Sequence, residues 1–244
     1  MALATTSGLP VSWDNEKKEL SFAGKVLTPD IRTIEQMRPV IHDTEWLKSA
    51  NPDTPLYYMY RDTCLPEDKG TIEANNLRYD ITAIPPYMLG KEYLKTAGHY
   101  HPFVPGQTAT YPEIYEVLEG KALFFIQKVN GNKVYDARIV RASAGDKFLI
   151  PPGFAHITVN EENTTLIIAN WVARDFSSVY GPLHEFGGCA YFFTPEGTIK
   201  NPKYIHTEGA LKENKPLNAA LLGLGKKEPM YRLVKNVSRL EFLT

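Results

Sequence analysis

The chain has few cysteines and no long apolar run. Its 244 residues include two cysteines, Cys64 and Cys189, which lie far apart in the sequence and form no CxxC motif. This content argues against a disulfide framework and is typical of a protein that works in a reducing cytoplasm. No apolar run approaches ~18 residues, so we expect no membrane span. Residues 1–20 lack an apolar h-region, so we expect no signal peptide.

The chain also lacks an excess of charge of either sign. It carries 27 basic and 28 acidic residues, for a formal net charge of −1. A nucleic-acid-binding surface usually needs a basic excess, so we expect no nucleic-acid partner. In contrast, 18 prolines, 17 glycines, 14 tyrosines and 11 phenylalanines are present. These residues favour strands and turns.

Short strands separated by turns dominate the predicted secondary structure. Strands are expected at 55–62, 77–84 and 91–101, and then in a series that continues to residue 173, with a hairpin at Asn130–Gly131. Short helices are expected at 33–41, 43–50 and 217–225. This pattern predicts an all-β sandwich or barrel with a few peripheral helices. We expect one domain over 1–203, with an N-terminal helix and strand extension, and a tail over 204–244 that packs on the barrel.

Two of the six histidines lie one residue apart, at His99 and His101. Residues i and i+2 of a strand point to the same face, about 7 Å apart, so two such imidazoles can bind one metal ion. Glu113 and Tyr115 share a face of a later strand in the same way. An isolated HxH is more often accidental than functional, so this pair needs support from elsewhere in the sequence.

That support lies at 145–160, which reads GDKFLIPPGFAHITVN. Pro151, Pro152 and Gly153 predict a tight turn between two strands, and His156 begins the second strand. Taken alone, His156 would be interpreted as a core histidine.

The two segments together resemble the two sequence motifs of the cupins. Every fixed position of the second motif is matched, by Gly145, Pro151, Gly153, His156 and Asn160. The parts of the first motif are matched by His99, His101, Glu113 and Gly120, although the spacer at 102–112 is longer than usual. The resemblance implies a double-stranded β-helix, or jelly-roll barrel. It also implies one divalent metal ion per subunit, with His99, His101, Glu113 and His156 as ligands.

Four longer segments, 82–101, 112–127, 150–160 and 170–181, resemble the cupin-type phosphoglucose isomerases of archaea and some bacteria. The resemblance covers roughly 25–203. It implies interconversion of glucose 6-phosphate and fructose 6-phosphate, a step of glycolysis and gluconeogenesis. Two positions depart from that family: Ala97 replaces a frequent lysine and Ser178 replaces a histidine.

The resemblance also implies roles for individual residues. Glu113 and Tyr115 would be catalytic, and the substrate would contact Tyr58, Thr82, Thr96, Gly98, Tyr115 and Tyr180. The metal would be Fe²⁺ in the first place, with Mn²⁺, Ni²⁺ or Zn²⁺ as alternatives. The partner would be a small-molecule sugar phosphate, and the expected assembly is a cytoplasmic homodimer.

Three questions stay open at the level of sequence. The same ligands serve other cupin enzymes, such as iron dioxygenases, and a cupin can also bind a sugar without catalysis. The isomerisation can proceed through a cis-enediol, with Glu113 as the base, or through a hydride shift between C1 and C2. The role of residues 204–244 is also undecided.

Overall fold

The computed structural model describes residues 3–175 and 177–244. The α-helices are short and lie at α1 (Leu3–Ser7), α2 (Ile34–Met37), α3 (Thr44–Leu47), α4 (Lys69–Ala74) and α5 (Gly181–Glu185). Four 3₁₀ segments lie at Arg38–Val40, Pro66–Asp68, Ala219–Leu222 and Met230–Leu243. Within the described ranges, no helix is both long and apolar enough to cross a bilayer.

Strands form most of the regular structure. The first eight are β1 (Val11–Asp14), β2 (Glu19–Phe22), β3 (Lys25–Val26), β4 (Asp30–Thr33), β5 (Pro55–Tyr60), β6 (Leu77–Ile84), β7 (Met88–Leu89) and β8 (Glu92–Tyr93). The next six are β9 (Glu113–Glu119), β10 (Lys121–Asn130), β11 (Lys133–Ser143), β12 (Lys147–Ile150), β13 (Ala155–Val159) and β14 (Leu166–Ala173). The last four are β15 (Tyr191–Thr194), β16 (Gly197–Lys200), β17 (Ile205–His206) and β18 (Leu211–Asn214).

Two sheets build the barrel. One has the strand order β12-β9-β14-β6-β5-β4, and the other runs β13-β10-β11 with β17 and β18 both paired to β11. Apolar side chains fill the space between the sheets, among them Val117, Phe124 and Phe148. The predicted all-β cupin fold, a double-stranded β-helix with a few short helices, is confirmed.

A second apolar layer covers the outer face of the six-stranded sheet. Trp171 of β14 packs against Tyr79 of β6, with ring centroids 4.8 Å apart, and against Tyr231 at 5.9 Å. Tyr231 belongs to the C-terminal segment Met230–Leu243. Both faces of this sheet are therefore buried, so β14 is apolar along almost its whole length, as expected for a strand with two covered faces.

The helices expected at 33–41, 43–50 and 217–225 are present but shorter, and the last of them is the 3₁₀ segment Ala219–Leu222. Asp43 caps α3 by accepting a hydrogen bond from Trp46 N at 3.0 Å. The α-helix α2 ends at Met37, and a 3₁₀ turn follows with Pro39 in its first turn, where the missing N–H has no cost. The strand predicted at 91–101 is shorter, and only β8 is regular there.

The C-terminal tail attaches to the barrel through a buried ion pair. Lys147 Nζ lies 2.8 Å from Glu116 Oε1, and both side chains are 0% exposed. Lys147 also donates to the carbonyl oxygen of Glu228 at 2.7 Å, and Glu116 Oε2 accepts from Met230 N at 2.8 Å. The barrel thus holds the chain entering the last segment at two points. The boundary predicted at residue 203 stays a prediction.

We expect Lys147→Met to lower the free energy of unfolding by about 3 kcal/mol, because it leaves a buried carboxylate without its cation. Burial raises the pKa of Glu116 to about 7, and the ammonium of Lys147 acts in the opposite direction. In the variant that pKa rises further. A carboxyl group whose pKa is raised on folding costs no stability below its ordinary pKa of 4.5, and the cost grows as the pH rises from there to the pKa in the folded state. A further rise of the folded-state pKa in the variant therefore adds its cost above about pH 7. Urea unfolding should therefore show a larger loss at pH 8 than at pH 5.

The matched control is Lys121→Met, which removes a surface pair with Glu162 whose side chains are 66% and 38% exposed. Such pairs contribute little, so its unfolding free energy should change by less than about 1 kcal/mol. Equal effects of the two variants would show that the Lys147–Glu116 pair does not hold the tail.

Candidate metal centre and substrate cavity

A cavity that is partly open to solvent lies between the two sheets, and the empty space within it and its open mouth together is about 610 Å³. Its walls come from the inner faces of β4, β5, β6, β9 and β14 of one sheet, from β13 of the other, and from the chain around 96–99 and 178–180. Three of the four predicted metal ligands, His99, Glu113 and His156, are among the lining residues. The predicted metal site thus lies at the wall of this cavity.

The four predicted metal ligands come together. His99, His101, Glu113 and His156 each offer one ligand atom, and these atoms lie within 4.8 Å of one another. His101, Glu113 and His156 are buried, and His99 is half-buried. Three imidazoles and a carboxylate in such a cluster suit Fe, Mn, Ni or Zn, so the residues fit a divalent ion.

The fold brings the two histidine motifs together through the backbone. His99 N donates to the carbonyl oxygen of His156 at 3.4 Å, and His156 N donates to that of His99 at 3.2 Å. Gly98 precedes this contact with φ +74°, and a Cβ there would lie 2.5 Å from Ile157 Cγ2. The turn into His99 therefore requires glycine. Glu113 is the first residue of β9, paired with Ile150 at the end of β12.

The long spacer at 102–112 supports one of the ligands. His101 Nδ1 lies 2.7 Å from the carbonyl oxygen of Tyr111, near the end of the spacer. A carbonyl only accepts, so Nδ1 carries the proton and Nε2 keeps the lone pair that a metal needs. Thr110 Oγ1 accepts from Gly153 N at 2.7 Å, which joins the spacer to the turn before His156. The insertion thus connects the two motifs.

The electrostatics of the cluster favour neutral imidazoles at His99 and His156. Burial lowers the pKa of His99 well below its usual value, and His101, Arg61 and Arg32 lower it further. Burial and the other two histidines lower the pKa of His156 in the same way. Glu113 Oε2 lies 3.2 Å from His101 Nε2 and 3.4 Å from His156 Nε2, yet it has no hydrogen bond within the described residues. A cation among these atoms would satisfy it.

Tyr115 lies beside the cluster on the same face of β9 as Glu113. Its hydroxyl group is 3.3 Å from His156 Nε2. Burial raises the pKa of Tyr115 well above its usual value, and the Glu113 carboxylate acts in the same direction. The phenol therefore keeps its proton and serves as a neutral hydrogen-bonding group.

Most of the predicted substrate contacts line the cavity. Thr82, Thr96, Gly98, Tyr115 and Tyr180 do so. The structure does not bring Tyr58 to them, because its ring lies on the outer face of the sheet, 6.0 Å from the Trp13 ring. Successive residues of a strand point to opposite faces, so the neighbouring Tyr57 faces inward instead.

Three arginines in the cavity walls were not predicted from the sequence: Arg32, Arg61 and Arg78. Arg32 lies on β4, Arg61 directly follows β5, and Arg78 lies near the start of β6. Alternate residues of a strand point to opposite faces, and each arginine occupies an inward-facing position of this alternation. Arg32, for example, lines the cavity, whereas the preceding Ile31 is exposed. That alternation was the available signal, but it becomes readable only when the inner face of each strand is known.

The facing sheets and the cluster of three histidines and one carboxylate define a cupin with a candidate metal centre. The family model for glucose-6-phosphate isomerase (GPI) matches residues 31–209. The chain belongs to the glucose-6-phosphate isomerase family, and the predicted family is thereby confirmed.

Three glucose-6-phosphate isomerases and one solved structure are similar to parts of the chain, and only the three isomerases bear on the family. The chain is 26% identical to the glucose-6-phosphate isomerase of Thermococcus litoralis over 71% of this chain and 86% of that protein. It is 31% identical to that of Thermococcus onnurineus, over 53% and 65% of the two chains. It is 27% identical to that of Sinorhizobium medicae, over 64% and 68%. A solved structure of oxalate decarboxylase from Bacillus subtilis aligns with 55% of this chain and 30% of its own, at 16% identity and a TM-score of 0.37.

Proposed function

We propose that the chain interconverts glucose 6-phosphate and fructose 6-phosphate as a metal-dependent aldose–ketose isomerase. The observation that carries this proposal is the four-ligand cluster of His99, His101, Glu113 and His156, which opens into a cavity with cationic walls in a chain of this family. The two parts have different roles: the ligand cluster would act at C1 and C2 of the sugar, and the arginines would bind its phosphoryl group.

We propose one divalent ion per subunit, Fe²⁺ in the first place, with Mn²⁺, Ni²⁺ and Zn²⁺ as alternatives that the donor set also suits. When bound, the ion would act as a Lewis acid that polarises the oxygens on C1 and C2. The neutral state of His99 and His156 supports binding, since only a deprotonated imidazole nitrogen can be a ligand.

We propose Glu113 as the residue that carries the proton. Oε2 faces His101 and His156, which leaves Oε1 to accept the hydrogen from C2 of the open-chain aldose and return it to C1. Tyr115, protonated and on the same face of β9, would hold a sugar hydroxyl group or Glu113 in place. In the competing route, a hydride passes directly from C2 to C1 and Glu113 acts only as a ligand.

We propose that Arg32 binds the phosphoryl group, together with Thr82, Thr96, Gly98 and Tyr180. Arg32 Nη2 donates to the Tyr180 hydroxyl group at 3.3 Å, while its buried Nε has no hydrogen-bond partner within the described residues. No carboxylate of the described ranges forms an ion pair with Arg32, so its charge is available to a dianion. A guanidinium matches the geometry of a phosphate.

We expect Arg32→Gln to raise KM for fructose 6-phosphate by about 10–100-fold, because it removes a charge-assisted contact worth roughly 1.5–3 kcal/mol. The value of kcat should change less, since the phosphoryl group lies away from the reacting carbons. Steady-state kinetics test this, with Arg38→Gln as the control, because Arg38 pairs with Glu35 on the surface. A normal KM in Arg32→Gln would remove Arg32 from the site.

The isomerase reading is tested by converting fructose 6-phosphate to glucose 6-phosphate under anaerobic conditions. We expect turnover to disappear after EDTA treatment and to return when Fe²⁺, Mn²⁺, Ni²⁺ or Zn²⁺ is added back, in an order that identifies the preferred ion. An isomerase needs no O₂ and works with a redox-inert ion. No turnover with any ion, in folded protein that binds the metal, would instead indicate other cupin chemistry or sugar binding without catalysis.

We also propose that the protein acts as a cytoplasmic homodimer in glycolysis and gluconeogenesis. The free cysteines Cys64 and Cys189 support a reducing compartment. β4 is an edge strand of the larger sheet, and its Ile31 is 43% exposed, so this edge is a candidate for pairing between subunits. Light scattering should give twice the chain mass of 27.5 kDa. A monomer at all concentrations would contradict the dimer.

A further inference from the structure

Two arginines of the cavity are held by one buried carboxylate. Arg61 Nη1 lies 2.8 Å from Asp80 Oδ2, and Arg78 Nε lies 2.9 Å from both carboxylate oxygens. Asp80 also accepts from Asp62 N at 2.9 Å, and its side chain is 0% exposed. With every oxygen engaged, the carboxylate cannot turn, and both guanidinium groups are fixed against it.

The fixed guanidinium groups keep donors for a ligand. The contacts of Arg78 in the described part of the chain use only Nε, so both terminal nitrogens remain available. Arg61 Nη2 meets only the sulfur of Met59, a weak acceptor, at 3.2 Å. Both arginines line the cavity, so these donors lie within reach of a bound molecule.

The charge of this cluster is not balanced internally. Asp80 is the buried carboxylate that pairs directly with both cations, and one arginine would be enough to neutralise it. The buried Glu113 carboxylate also acts on Arg61, but without an ion-pair contact. Asp30 lies 3.6 Å from Arg61 Nε, but its side chain is 69% exposed and therefore screened by water. The cluster of Arg61, Asp80 and Arg78 thus presents a net positive charge toward the cavity, which favours an anion.

The cluster is separate from the phosphate position proposed for Arg32. Arg32 pairs with Tyr57, four residues before Arg61, a distance of roughly 13 Å along the strand. Asp80 lies across from Asn170, which lies across from Tyr115 beside the metal cluster. The cavity therefore has cationic groups at two places, Arg32 and the Arg61–Arg78 pair, and the metal cluster lies beside Tyr115. A six-carbon chain with an oxyanion at each end can bridge the two cationic places.

We propose that Arg61 and Arg78, oriented by Asp80, form a second oxyanion subsite that binds the other end of a hexose carrying two phosphoryl groups. This inference rests on the proposed function for the placement of the first phosphoryl group at Arg32. Such a compound has no free C1 and C2 oxygens together, so it binds as a competitive ligand and regulates the isomerase. Arg78 is the principal contact, because both of its terminal nitrogens are available.

The test compares the affinities of fructose 1,6-bisphosphate and fructose 6-phosphate for the metal-loaded protein by titration calorimetry. We expect the bisphosphate to bind about tenfold more tightly or better, as expected for an added charge-assisted contact. Arg78→Gln should abolish most of that preference, and Arg78→Lys, which keeps the charge but loses the fork, should retain part of it. The matched control is Arg138→Gln, since Arg138 pairs with Asp136 two residues away on β11, outside the cavity.

A bisphosphate preference that survives in Arg78→Gln, or no preference in the parent protein, would overturn the proposal. Circular dichroism and thermal melting check that each variant folds. If Arg78→Gln does not fold, Arg61→Gln supplies the same comparison on the other side of Asp80. A protein that binds the bisphosphate through Arg78 but shows no isomerase turnover would retain the subsite and lose the proposed function. Isomerase turnover in a parent protein that does not prefer the bisphosphate would retain the proposed function and reject the subsite.

Discussion

Replacing His99 or His156 by alanine is expected to remove both the bound metal and the activity. Each residue offers one of four ligand atoms that lie within 4.8 Å of one another, and the lost imidazole has no replacement among them. A Lewis-acid metal contributes several kcal/mol to such a reaction, so kcat/KM should fall by about 10³-fold or more. The metal content, measured by elemental analysis after dialysis, should fall well below one ion per chain.

The control for this experiment is His42→Ala. His42 lies outside the cluster and stacks on Phe192, with ring centroids 4.4 Å apart. This variant should retain its metal and its turnover. If His99→Ala and His156→Ala bound the ion and isomerised the sugar as the parent does, the assignment of both residues as ligands would be wrong.

The metal cluster was predictable from the sequence because its signals are local. His99, His101 and Glu113 fall within one motif, and the turn before His156 has its own pattern of proline and glycine. Spacing within such motifs depends on strand periodicity and turn geometry, which act over a few residues. The structure differs in one respect: His99 and His101 lie on an irregular segment with an isolated bridge to His156, and not on a regular strand.

The arginines were not predictable because their roles depend on contacts between distant strands. Arg61 and Arg78 meet only where β5 pairs with β6, and Asp80 brings them together. Strand alternation alone does not distinguish these arginines from surface charges, because it does not show which face of the strand is the inner one. The same limit explains Tyr58, because a choice between two adjacent tyrosines requires the register of β5 against β6.

The role of the C-terminal tail could not be predicted from the sequence. The sequence predicts that residues 204–244 pack on the barrel but gives them no role. In the structure, β18 pairs in parallel with β11, and Met230 is held by Glu116 of β9. Glu116 lies on the opposite face of β9 from Glu113 and Tyr115, because it is separated from them by odd numbers of residues. The strand that supplies the proposed base is therefore fixed from its outer side by the tail.

Glu113→Gln is expected to lower turnover by about 10²–10⁴-fold if Glu113 moves the proton, the range typical of a general base. The amide keeps an oxygen for the metal but cannot accept a proton from carbon. The decisive quantity is therefore activity per bound ion, with metal content measured on the same samples. Glu119→Gln is the matched control, since Glu119 ends the same strand away from the ligands.

An isotope experiment separates the two routes on the same proteins. When glucose 6-phosphate deuterated at C2 is converted in ordinary water, a proton carried by Glu113 exchanges with solvent and the label is partly lost from the product. In a hydride shift, the label passes to C1 of fructose 6-phosphate and is retained.

Label loss together with a large drop in activity per bound ion in Glu113→Gln would establish Glu113 as the base. If the deuterium is fully retained and activity per bound ion is unchanged in Glu113→Gln, Glu113 is a metal ligand only. The hydrogen then moves directly from C2 to C1 as a hydride. We expect the first result, because Glu113 is the carboxylate of the ligand cluster and lines the cavity that the sugar would enter.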